Sequence, residues 1–303
     1  MSTTHAAVAS PARVVALDAG DTRRSLRRHA VGASDARRYT TVDGVRLAYD
    51  DVGRGPTVVA LHAIGHGAGD FARLVARLAD RHRVLALDWP GQGWSDPDRS
   101  PPSAQRYAEL LADVLAAVDA GPVVLVGNSI GGAAAIEYAA MHPERVRGLV
   151  LANPGGLDAF DVVKRVACGL MARFFGAGAR GARWFPTAFA AYYRSSVLMR
   201  APAAAQRARI VASATEIAPI LAAAWAGFAR PESDLRPLAP RIGCPVLFTW
   251  ATRDRFVQLA RSLPAIRTFP QARVVTLPAG HAPQLETPEA FEAEVESFLA
   301  ELA

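Results

Sequence analysis

The sequence predicts an α/β fold: a mostly parallel central sheet with helices on both faces, into which a helical cap is inserted. Three observations predict it. Short runs of Val, Leu and Ala (TVVALH, RVLALD, VRGLVLA) alternate with segments whose apolar residues recur at helical spacing, the pattern of parallel strands covered on both sides. The alternation lapses after Asn153 and resumes at PVLFTW, so residues 154–233 form an insertion. No apolar run approaches the roughly 20 residues of a membrane helix, and no repeat of solenoid length is visible.

The elements follow in order. Residues 1–36 are an Arg-rich N-terminal extension without a sustained period. The core is predicted over residues 37–153 and 234–303. It opens with a hairpin, Tyr39–Val42 and Val45–Asp50 around Asp43-Gly44, a pair suited to a two-residue turn. Thr57–His62 is a buried strand ending in the loop AIGHGAG. Phe71, Leu74, Val75 and Leu78 give Asp70–Asp80 helical spacing. Arg83–Asp88 is a second buried strand, Ser103–Val118 a helix and Val123–Val126 a third strand leading into GNSIGG. A helix over Ile130–Met141 closes before Pro143, and Val146–Ala152 is the fourth strand. After the predicted cap, residues 154–233, come the strand Pro245–Trp250, a helix over Val257–Phe269, the strand Arg273–Leu277 and a final helix over Pro288–Leu302.

Composition narrows the function classes. The 303 residues are 51% hydrophobic and 20% charged, too apolar for a disordered chain. The net charge of +6 is uneven: residues 1–38 hold seven Arg against three Asp, and residues 154–240 eleven basic against five acidic residues. Neither segment carries a nucleic-acid-binding motif, so no nucleic-acid partner is expected. Cys168 and Cys244 are too few and too far apart for a disulfide framework or, alone, a zinc site. The apolar stretch Ala6–Leu17 is broken by Ser10, Pro11 and Arg13, which argues against a secretion signal and for a cytoplasmic location.

The chemistry centres on Gly127-Asn128-Ser129-Ile130-Gly131. Preceded by a strand and followed by a helix, this G-x-S-x-G pattern describes a turn sharp enough to lift a serine hydroxyl above the sheet edge. Serine needs a base, and the base an acid to orient it. Of seven histidines, His281 in LPAGHAPQLETPEAF directly follows the last strand and so shares that edge. Asp254, four residues beyond PVLFTW, is the candidate acid, and Asp158, past VRGLVLA, is its weaker competitor. His66 lies in the loop after the first parallel strand and is within reach of the pocket.

With these residues in place, the chain resembles the α/β-hydrolase fold superfamily, in its lidded serine-hydrolase branch of esterases and carbon–carbon bond hydrolases. The resemblance runs from residue 37 to 303 outside the cap, through LHAIGHG, DWPGQGWSD, GNSIGG, TWATRD and AGHAPQLETPE. It implies that the backbone N–H groups of Ile64 and Ile130 form an oxyanion hole. Ala63 stands where the family usually has glycine. The resemblance implies a serine hydrolase that cleaves an ester or lactone through an acyl-enzyme, with Ser129, His281 and Asp254 as its triad and no metal or organic cofactor. The aromatic residues of the cap imply a small apolar or aromatic substrate. Asn128 before the nucleophile keeps a carbon–carbon hydrolase of ring-cleavage products as the alternative, though Ala282 stands where those enzymes usually carry Trp. Acyl transfer, a lyase role and a non-catalytic binding protein on the same fold also stay open, as does the oligomeric state.

Overall fold

The computed structural model describes residues 36–303; apart from Ala36, the Arg-rich extension lies outside the described residues. Eight strands, β1 (Arg37–Val42), β2 (Val45–Val52), β3 (Thr57–Leu61), β4 (Arg83–Leu87), β5 (Val123–Asn128), β6 (Val146–Ala152), β7 (Val246–Ala251) and β8 (Ala272–Leu277), form one sheet. Its order is β1-β2-β4-β3-β5-β6-β7-β8. The hairpin β1–β2 is antiparallel and β2 pairs antiparallel with β4, while every later pairing is parallel. Asp43 and Gly44 both take positive φ, 46° and 73°, as a two-residue turn that keeps the strand twist requires.

The continuous apolar runs follow from burial on both faces. Val59, Leu61, Leu85, Leu87, Leu125, Leu149 and Leu151 enter one core, and Val58, Ala60, Val84, Ala86, Val124, Val126 and Val150 the other. This is the two-residue period of a strand with no solvated side. On the first face lie α2 (Ala104–Ala117), started by the Ser103 side chain accepting from Arg106 N–H, and α3 (Ile130–Met141), buried along most of its length. On the other, α1 (Ala72–Leu78) and the last helix, Pro288–Glu301, contribute Leu74, Leu78, Phe291, Val295, Phe298 and Leu299.

Between β6 and β7 the described chain contains no strand. It forms α4 (Val162–Ala179), α5 (Phe185–Tyr192), α6 (Ala204–Ala212) and α7 (Ala214–Phe228). The predicted helix over Val257–Phe269 is shorter, α8 (Leu259–Ile266), because the N–H groups of Phe256 and Val257 turn onto the Asp254 carboxylate instead. The C-terminal elements are the single turn α9 (Pro283–Glu286) and α10 (Pro288–Glu301). The last strand, β8, is an edge strand and is largely exposed, unlike its five parallel partners.

The strand order locates the site. From β3 the chain steps outward to β4 and then crosses back to β5, on the other side of β3. At such a reversal the loops leaving the two adjacent strands diverge and open a crevice beyond their carboxyl ends. The loops concerned are AIGHGAG after β3 and the Ser129 turn after β5.

Candidate active site

Ser129 sits where β5 becomes α3, with φ 56° and ψ −118°, a conformation that costs a non-glycine residue about 1–3 kcal/mol. Contacts on both sides impose it. A Cβ on Gly127 would lie 2.6 Å from the Gly131 backbone, and one on Gly131 would lie 2.2 Å from the Leu61 carbonyl oxygen, so strand and helix approach only because both positions lack a side chain. The turn is pinned by Ser129 N–H donating to the Ala152 carbonyl at 3.0 Å. Ser129 occupies the N-cap position of α3, yet its hydroxyl makes no capping bond. The side chain is therefore not spent on starting the helix.

Asn128, fully buried, donates through Nδ2 to the carbonyls of Ala152 and His281, at 2.9 and 3.0 Å. This ties the serine turn to the backbone of the candidate base. His281 Nδ1 lies 2.7 Å from Asp254 Oδ2. The same oxygen accepts from Asn153 Nδ2 at 2.7 Å, and Oδ1 accepts from the N–H groups of Phe256 and Val257. Four donors thus converge on one buried carboxylate. The imidazole is thereby fixed with Nδ1–H toward Asp254, leaving Nε2 as the basic nitrogen. Burial lowers the His281 pKa, but the Asp254 charge and hydrogen bond, aided by Glu286, outweigh it and hold the group above its ordinary value. Asp158 is engaged elsewhere, with Lys164 Nζ at 2.9 Å.

Ile64 and Ile130 are both buried, and the N–H of neither meets a protein acceptor among the described residues. Buried unpaired donors are rare, and a pair at the crevice suits an anionic oxygen. Ala63, in the usual glycine place, has no positive φ; the left-handed residue of the loop is Gly65, at φ 78°. A side chain at 63 is thus accommodated without strain.

The loop is held from beneath by the second motif, DWPGQGWSD. His62 Nδ1 lies 2.7 Å from the Ala63 carbonyl, and its Nε2 accepts from Trp89 N–H at 2.9 Å. Burial pushes His62 down to about 4, so it is neutral and can accept. Gly65 N–H donates to Gln92 Oε1 at 2.6 Å, and Ala68 N–H to Asp88 Oδ1 at 2.7 Å. His66 Nδ1 contacts Asp70 Oδ2 at 2.6 Å, and Gln206 of α6 donates to the other oxygen of Asp70. A narrow cleft opens beside this loop between His66, Gln92, Gln206 and Arg209; Ser129, Asp254 and His281 do not line it.

The segment between β6 and β7 touches the loop that carries His281. His281 N–H donates to the Val197 carbonyl. Buried Glu286 accepts from Gly280 N–H and Met199 N–H, clasping the His281 loop to the same stretch. Phe175, Phe185 and Phe189 are fully buried within a ring cluster that includes Phe174, Tyr192 and Trp225. Tyr192 and Trp225 also meet Phe256, whose ring stands edge-on to His281 at 6.4 Å. Most of the aromatic surface thus packs on itself, and Phe256 carries it to the base.

Sequence reasoning missed Asn153, Glu286 and the loop-holding role of His62 and Gln92. Asn153 was signalled only by its place: it directly follows β6 and has φ 45°, a backbone region that asparagine tolerates better than most residues.

Residues 56–288 match the family model described as alpha/beta hydrolase fold. The chain is 31% identical over 256 residues to the pimeloyl-[acyl-carrier protein] methyl ester esterase of Xanthomonas oryzae pv. oryzae, covering 83% of this chain and 98% of that protein. An uncharacterised protein of Mycobacterium tuberculosis is 34% identical over 146 residues, and there the match spans 48% of this chain and 43% of the relative's length. Among solved structures, a thermophilic esterase from Thermogutta terrifontis superposes with a TM-score of 0.74 at 25% identity, covering 88% of this chain and 98% of that one.

Proposed function

Because this chain belongs to the α/β-hydrolase fold family, we propose that it is a serine hydrolase that cleaves a carboxylic ester or lactone of an apolar substrate through an acyl-enzyme. The observation that carries the reading is the convergence on one sheet edge of a strained, uncapped Ser129 and a His281–Asp254 pair at 2.7 Å. His281 Nε2 takes the Ser129 proton as Oγ attacks the acyl carbon. The tetrahedral oxyanion is met by the N–H groups of Ile64 and Ile130. His281 then returns the proton to the leaving alcohol, and water attacks the acyl-enzyme by the reverse sequence. Asp254 stays ionised throughout and stabilises the imidazolium.

Residues 154–233 act as a lid over this site, and Phe256 with the Tyr192–Trp225 cluster forms the apolar wall against which the acyl group packs. The methyl ester named for the Xanthomonas relative belongs to the same chemical class. Asn128, the feature shared with carbon–carbon hydrolases, supports that alternative only weakly, since both its carbonyl contacts serve to join the serine turn to the His281 loop.

The test is hydrolysis of methyl and p-nitrophenyl esters by the wild-type protein and by Ser129→Ala. Loss of about 10⁶ in kcat is expected with the fold intact. Retention of more than a few per cent of wild-type activity would remove Ser129 from the mechanism.

A further inference from the structure

The large apolar side chains left in solvent are concentrated in one place. Val162, Val163, Val166 and Leu170 of α4 are 61, 68, 56 and 62% exposed, and Trp184, just beyond the helix, is 52% exposed. Elsewhere among the described residues only Tyr39 and Met141 are comparably open. At about 100° per residue the four α4 positions fall within an arc of roughly 100°, spread over about 12 Å of helix. The opposite side buries Cys168, Phe175 and Gly178. The helix is therefore apolar on two sides, one packed inward and one open, a combination that in a folded protein marks an interaction surface.

Charge identifies the occupant. The exposed Arg173 and Arg180 continue the same face toward the C-terminal end, Arg165 flanks it and Arg183 adjoins Trp184. None of the four is ion-paired among the described residues. The nearby carboxylates are already matched, Asp158 by Lys164 and Asp161 by Arg261. An apolar stripe bordered by unpaired guanidinium groups, with a tryptophan at its rim, complements an anionic phospholipid surface. Parallel two-fold pairing of a second copy through α4 is disfavoured, because it would set these arginines against one another. The helix lies on such a surface and does not cross it, since its other side is core.

We propose that the open face of α4, with Trp184, docks this protein on anionic phospholipid, its valines and Leu170 entering the headgroup–acyl boundary and its arginines meeting lipid phosphates. The proposal does not depend on the hydrolase mechanism.

The full chain is floated with vesicles of phosphatidylcholine alone or of equimolar phosphatidylcholine and phosphatidylglycerol. Binding to the mixed vesicles is expected, at least tenfold weaker to the neutral ones, and weakened as salt is raised from about 50 to 500 mM. Val163→Asp/Leu170→Asp should abolish it. Arg173→Glu/Arg180→Glu should weaken it at least 25-fold, taking about fivefold per arginine. Both variants alter exposed positions on the open side of the helix, so thermal melts should match wild type. Absence of binding to the mixed vesicles would overturn the proposal. So would undiminished binding by Val163→Asp/Leu170→Asp, which would assign the attraction to another basic part of the chain such as residues 1–35. A wild-type dimer in light scattering that Leu170→Asp dissociates would make a second copy the occupant and equally overturn it.

Discussion

Replacing Glu286 by Gln removes one charge from a buried position and almost no volume, and should cost both stability and a share of His281's basicity. The carboxylate accepts from two backbone donors, Gly280 N–H and Met199 N–H, one on each side of the contact between the His281 loop and the segment between β6 and β7. An amide has one acceptor oxygen, so one buried N–H would face an NH₂ group. Bonds to a charged acceptor contribute about 1.5–3 kcal/mol each, and an unpaired buried donor costs about 1–3 kcal/mol. A net loss of about 3 kcal/mol follows. At about 2 °C per kcal/mol for a chain of this size, the melting temperature should fall by about 6 °C. Glu286 also helps to hold the His281 pKa up, so the acid limb of kcat/KM should move to lower pH in the variant. Calorimetry and a pH–rate profile measured on one preparation check both effects. An unchanged melting temperature together with an unmoved acid limb would refute the reasoning, because a solvated glutamate would behave that way.

Other predictions address the base, the acid and the acyl pocket. Asp254→Asn should lower kcat by about 10⁴ by leaving the imidazole in the wrong tautomer, whereas Asp158→Asn, which only releases Lys164, should change kcat little; steady-state kinetics separate the two. In the wild type, kcat/KM should rise with pH through a midpoint above the ordinary imidazole value of about 6.5, because the Asp254 charge outweighs burial at His281. The sign is opposite for stability. The extra stability of the charged pair is complete below about pH 6.5 and fades as pH rises through the folded value, while activity is lost as pH falls through it. A p-nitrophenyl ester series from acetate to octanoate should show kcat/KM rising at least tenfold, at up to about 0.8 kcal/mol per buried methylene. A flat series would mean that the ring cluster around Phe175 packs only on itself and does not bind substrate.

The parts of this fold that were legible in the sequence are those in which one local rule sufficed. Continuous Val/Leu runs identified the strands from β3 to β7, Asp43-Gly44 the hairpin, and the two glycines around Ser129 the sharp turn, because each depends on neighbours within a few residues. The placement of Asp254 and His281 at the Ser129 edge was legible because each directly follows a strand of the sheet. Contacts between distant segments were not. Asn153 reaches Asp254 across 101 positions and Gln206 reaches Asp70 across 136, and nothing in the local sequence records either pairing. DWPGQGWSD was visible as a motif, but its work in holding the AIGHGAG loop through Trp89, Gln92 and Asp88 depends on β3 and β4 lying side by side. The open face of α4 was hidden for the opposite reason: an apolar stripe reads as core until the structure shows nothing packed on it.

The central claim is that Ser129 is the nucleophile, activated by His281. The most direct measurement is reaction with a fluorophosphonate followed by mass spectrometry of the digested protein. The account predicts a single adduct on the peptide containing Ser129, absent from Ser129→Ala and formed far more slowly by His281→Ala, with hydrolytic activity lost in proportion to labelling. Full labelling that leaves activity intact, or inactivation with the adduct on a residue other than Ser129, would contradict it.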